Sequence, residues 1–78
     1  MLKTLVMQVN KLSDLPESIW QLANLSELDL QSNELTEISS NVSLLVNLRY
    51  LKLSDNNLTS VPTSIGQLIN LQELGLAD

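Results

Sequence analysis

The sequence predicts an α/β fold, a right-handed solenoid of parallel strands backed by short helical or 3₁₀ return legs. Three observations predict it. Leucine recurs at Leu2, Leu25, Leu48 and Leu71, a constant interval of 23 residues. Each full interval opens on LxxLxLxxNxL, with Met7 at one leucine place in the first. Inside each interval the apolar spacing lengthens from two residues to three or four, so a strand gives way to a helical turn. Such a unit cannot bury its own apolar side and must stack on a copy of itself.

The units run from residue 2 to 24, 25 to 47 and 48 to 70, and a partial fourth occupies 71–78. We read them as a single domain, residues 1–78, or as a segment of a longer array. The apolar places are 1, 4, 6, 11, 14, 18 and 21 of each unit. The first unit fills them with Leu2, Leu5, Met7, Leu12, Leu15, Ile19 and Leu22; the second with Leu25, Leu28, Leu30, Leu35, Ile38, Val42 and Leu45. The third has Leu48, Leu51, Leu53, Leu58, Val61, Ile65 and Leu68, and the partial unit Leu71, Leu74 and Leu76. These form the predicted core.

Each element follows from its local spacing. Leu28 and Leu30 alternate with Glu27 and Asp29, the period of a strand with one face buried. An asparagine follows at Asn10, Asn33 and Asn56. Asparagine tolerates left-handed backbone, and its amide can bond main-chain groups that a corner leaves unpaired. Pro16 and Pro62 stand where a return leg should begin, with φ preset and no wasted N–H. Ser39 replaces them in the second unit, which predicts a looser leg there. A second asparagine closes each unit (Asn24, Asn47, Asn70) and turns the chain back toward the next strand. Every strand begins at the same stage of one circuit, so the strands must lie parallel.

LxxLxLxxNxL followed by LPxxI or VPxxI resembles the leucine-rich repeat proteins, over all 78 residues. SIGQLINLQEL is similar to the 23-residue Ras-suppressor or Scribble-like type, which also occurs in bacteria. The resemblance implies a horseshoe with its sheet on the concave side, used for binding protein. This chain departs from the pattern in lacking the proline of the second unit and the usual capping elements.

Composition narrows the function. Nine acidic residues against four basic ones give a net charge of −5, the reverse of the basic stripe that nucleic acid requires. Anionic membrane surfaces are disfavoured likewise, and no apolar run is long enough to insert into a bilayer. Histidine and cysteine are absent, which removes the commonest bases, nucleophiles and soft metal ligands. Glu27 and Asp29 share a face, but an open sheet does little to shift a carboxyl or exclude water. We expect no enzyme activity, no cofactor and no metal. A chain without cysteine and without a recognisable signal peptide points to the cytoplasm.

The strand register predicts the outward rows. One reads Thr4, Glu27, Tyr50, Glu73; the next Val6, Asp29, Lys52, Gly75; the strand edge reads Lys3, Ser26, Arg49, Gln72. Tyr50, ringed by Glu27, Asp29, Arg49, Lys52 and Glu73, has the make-up of a protein-binding centre; a solvated tyrosine is the plainer reading. Lys52 beside Asp29 predicts a cross-strand ion pair. Trp20 and Leu44 predict a small apolar cluster on the outer face, or a contact with another chain. Open core ends predict a second role, assembly of a homo-oligomer end to end. Three N-x-S/T triplets, at Asn24, Asn41 and Asn57, leave a third reading, an extracellular recognition fragment.

Overall fold

A computed structural model of the chain describes residues 2–8, 11, 13 and 15–76. Four three-residue strands recur at the period of the sequence: β1 (Thr4–Val6), β2 (Glu27–Asp29), β3 (Tyr50–Lys52) and β4 (Glu73–Gly75). They pair in parallel in the order β1-β2-β3-β4. Leu5, Leu28, Leu51 and Leu74 stand in register across the sheet. Pairing runs beyond the strands: Leu30 N–H donates to Lys52 O and Leu53 N–H to Gly75 O, both at 2.8 Å, and Asn57 N–H reaches Leu35 O at 2.9 Å. Adjacent coils are thus joined along the corner as well as the strand.

Burial is graded along the stack. Leu25, Leu28, Leu30, Leu35, Leu45, Leu48, Leu51, Leu53 and Val42 are fully buried; all belong to the second coil or the strand side of the third. Leu5, Met7, Leu15, Leu22, Leu58, Ile65, Leu71 and Leu74 pack on this core while half-buried. Leu2 and Leu76 are exposed. The second coil has a neighbour on both sides, and each side removes apolar area from water. Leu12 and Asn10 lie outside the described residues.

The asparagine corners divide the predicted labour between two residues. In the second and third units the left-handed backbone belongs to the residue before the asparagine, Ser32 at φ 59° and Asp55 at φ 60°; in the first unit Lys11, at φ 56°, follows the asparagine position. The asparagine supplies the amide. Asn33 Nδ2 donates to Met7 O, Leu30 O and Gln31 O at 2.9 to 3.2 Å. One coil later Asn56 Nδ2 donates to Leu30 O, Leu53 O and Ser54 O, and Asn56 Oδ1 accepts from Leu35 N–H. Leu30 O therefore receives an amide from its own corner and from the next, which ties the two coils together.

The return legs are five-residue 3₁₀ turns at Glu17–Gln21, Ser40–Leu44 and Thr63–Gln67. Pro16 and Pro62 stand just before the helical residues, at φ −66° and −68° with extended ψ. Ser39 takes the same conformation, φ −60° and ψ 143°, and its hydroxyl accepts from Asn41 N–H at 3.0 Å. The second leg is consequently not looser in form: a side-chain cap stands in for proline's fixed φ. The legs pack in sequence, first on second and second on third. Asn41 Nδ2 donates to Glu17 Oε1, and Ser64 Oγ to Ser40 O.

Trp20 corrects the expectation of an outer apolar cluster. It is 3% exposed and belongs to the core, whereas Leu44 is 53% exposed. Ile19 and Trp20 are adjacent in the first return leg, and both are buried. The indole lines a hollow with Leu15 and Glu17 of its own coil and Glu37 and Ser39 of the next. Its Nε1 has no hydrogen-bond partner among the described residues. Burying an indole's ~150–250 Å² contributes about 4–6 kcal/mol, which exceeds the ~1–3 kcal/mol cost of an unpaired donor.

Candidate functional site

The sheet face turned away from the core carries the predicted rows. β2, β3 and β4 set Glu27, Tyr50 and Glu73 in register, with Thr4 of β1 continuing the row. Tyr50 is half-buried, and its hydroxyl donates to Gln72 Oε1 of the next coil at 3.3 Å. Glu73 is exposed. Beside this row run Val6, Asp29, Lys52 and Gly75. Gly75 leaves the row open beyond Lys52; a Cβ there would meet Ser54 Oγ at 3.3 Å.

The predicted Lys52–Asp29 ion pair is not formed. Lys52 Nζ lies 3.5 Å from Glu27 Oε2, on the diagonal. Asp29 is 5% exposed, and its Oδ1 accepts from both the N–H and the Nε2 of Gln31 at 3.1 Å. A carboxylate held by its own corner is turned from its neighbour, and Lys52 swings to the acid that remains open. A partly exposed pair of this kind contributes under ~1 kcal/mol, so it orients the lysine more than it stabilises the fold.

The six predicted contact residues therefore separate. Glu27, Tyr50, Lys52 and Glu73 share the sheet face. Asp29 is buried into the corner. Arg49, exposed just before β3, faces a different place, an open hollow of about 390 Å³ that it lines with Lys3, Asn24, Ser26, Asn47 and Asn70. Sequence reasoning set out the Lys3, Ser26, Arg49 row but treated it as an edge, and treated the three asparagines as chain reversals. Their common 23-residue spacing was the available signal. Gln72 was missed as Tyr50's partner because a hydroxyl contact across coils leaves no periodic trace. A second hollow, about 200 Å³, lies at the β4 end beside Leu58, Val61 and Leu76.

Among the described residues no group of three or more His, Cys, Asp or Glu side chains is placed to hold a metal ion, and no helix is long and apolar enough to cross a membrane.

The leucine-rich repeat family model matches residues 24–78. The chain belongs to the leucine-rich repeat family. A solved leucine-rich repeat protein of Leptospira interrogans is similar to it at 48% identity and a TM-score of 0.95, over 99% of this chain. The chain spans 20% of that protein's length. No curated protein matches the sequence. Leucine-rich repeat proteins are generally non-catalytic interaction modules, and a parallel sheet with short 3₁₀ return legs is the form this repeat takes here.

Proposed function

We propose that this leucine-rich repeat binds a protein partner on the sheet face, centred on Tyr50. The observation that carries the reading is the bracing of this aromatic. Gln72 holds its hydroxyl from one side, and the Glu27–Lys52 pair stands on the other. A braced tyrosine loses little further freedom on binding and offers both an apolar ring and a polar tip. Glu27, Lys52 and Glu73 form a charged surround that fixes the partner's orientation more than its affinity. Asp29 supports the face from beneath, and Arg49 contributes from the edge.

A partner cross-linked through a photoreactive residue at position 4, at the end of the Tyr50 row, gives the reagent for the test. Calorimetry should then show Tyr50→Ala weakening the complex by ~1 kcal/mol or more, with an unchanged circular dichroism spectrum. Equal affinity of variant and parent removes the sheet-face reading.

A second reading, association of two copies, is favoured by the hollow beside Leu58, Val61 and Leu76, where apolar side chains meet solvent. A second copy, whose coils repeat the same apolar spacing, would cover it. Sedimentation across a concentration range separates the two readings, and a chain that stays monomeric when concentrated excludes assembly.

A further inference from the structure

The hollow at the start of the strands is set apart by what lines it. The chain has four basic residues. Two of them, Lys3 and Arg49, line this hollow, and no acidic residue does. Neither makes an ion pair among the described residues, whereas Lys52 is engaged by Glu27. Lys3 and Arg49 stand two coils apart, roughly 10 Å from backbone to backbone at ~4.8 Å per strand. Between them the chain places Ser26, a side chain small enough to leave the space open.

Several main-chain oxygens around the hollow are already engaged. Lys3 O accepts from the N–H groups of Ser26 and Glu27 and from Ser26 Oγ. Ser26 O accepts from Arg49 and Tyr50 N–H. Ala23 O and Val46 O accept from the amides of Asn47 and Asn70 at 3.1 Å. The side chains that remain carry an ammonium, a guanidinium, and, on Asn47 and Asn70, a second amide proton beside each amide oxygen. Two positive charges with no acidic residue in the lining, on an acidic protein, favour an anion.

We propose that this hollow is a carboxylate-binding site, and that its occupant is an acidic side chain in an extended segment of a partner protein. The inference rests on the protein-binding reading above and deepens it by giving the partner's chemistry. Arg49 receives the carboxylate through its paired N–H groups, the geometry guanidinium offers to two oxygens. Lys3 adds charge from two coils away, and Asn47 and Asn70 donate to the same oxygens. The neighbouring sheet face, with Glu27 and Glu73, repels a second acid there, so an acidic segment has one favourable seat at this edge.

The test uses the 78-residue chain and an acetylated, amidated peptide of Asp and Glu, and needs no natural partner. Nitrogen–proton NMR should show saturable shifts of the Asn47 and Asn70 side-chain amides and the Arg49 Nε–H. Lys3→Gln and Arg49→Gln should each weaken binding at least ~3-fold, and added salt should weaken it further. Lys11→Gln removes the same charge elsewhere and should leave binding unchanged. Absence of saturable shifts, shifts centred on Tyr50 and Glu73, or an equal loss from Lys11→Gln overturns the proposal. Binding of inorganic phosphate as tight as that of the peptide overturns the choice of a carboxylate. Loss of the peptide site leaves the Tyr50 test intact, so the two readings fail separately.

Discussion

At the scale of the residue, asparagine and tryptophan show opposite relations between sequence and role. Asn33 is buried at 7% exposure, and its amide serves three carbonyls in two coils. Alanine leaves those acceptors unmatched. Asn33→Ala is expected to lower stability by ~1–3 kcal/mol, read as a reduced urea midpoint, and an unchanged midpoint would show that water replaces the amide. Its importance is legible in the repeat because Asn10, Asn33 and Asn56 recur at one place. Trp20 recurs nowhere, and its burial was not legible. Its apolar body stabilises the core while its N–H has no partner among the described residues. Trp20→Phe is expected to stay within about 1 kcal/mol of the parent, since the lost area is offset by removal of the unpaired donor. Trp20→Ala should cost ~3–5 kcal/mol. Melting curves of the pair decide it, and a phenylalanine variant as unstable as the alanine one would show that the indole nitrogen is satisfied.

At the scale of the element, the return legs show one conformation reached by two means. Pro16 and Pro62 hold φ at −66° and −68° through a fixed ring, and Ser39 takes φ −60° with a hydroxyl cap in its place. Ser39→Ala removes the cap and should cost ~0.5–2 kcal/mol. Ser39→Pro loses the same bond but restricts the unfolded chain, which returns ~0.4–1 kcal/mol. The proline variant should therefore melt above the alanine variant, and the reverse order would show that the second leg depends on the hydroxyl alone. The three strands-and-legs units were legible because a period of two and a longer period sit side by side in each. The position of the left-handed residue was not. In the second and third units Ser32 and Asp55 carry it, one place earlier than the more conspicuous asparagine, whose amide the corner uses instead.

At the scale of the whole molecule, stability follows position in the stack. Each coil contacts its neighbours alone, so the total is close to a sum of coil and interface terms. Leu51 is fully buried between coils, and Leu74, its register partner in β4, is half-buried. Leu51→Ala is expected to cost ~2–5 kcal/mol, and Leu74→Ala clearly less, by chemical denaturation. Equal costs would mean that the β4 side is covered in solution, as end-to-end assembly requires. The sheet-face residues are placed by the same stacking. Glu27, Tyr50 and Glu73 could be read into one row from the 23-residue period, while the departure of Asp29 and Arg49 from that group could not.

The period by itself determined the architecture: parallel strands, their register, the corners and the apolar line that joins them. It could do so because each coil sees nearly the same surroundings, and repetition of surroundings writes itself as repetition of residues. Tertiary structure decided what the repeats do not share. It buried Trp20, paired Lys52 with Glu27, drew Asp29 to Gln31 and opened a donor-lined hollow between Lys3 and Arg49. Those outcomes depend on which side chain competes for a given partner in space, and a sequence spacing specifies neighbours without specifying the winner.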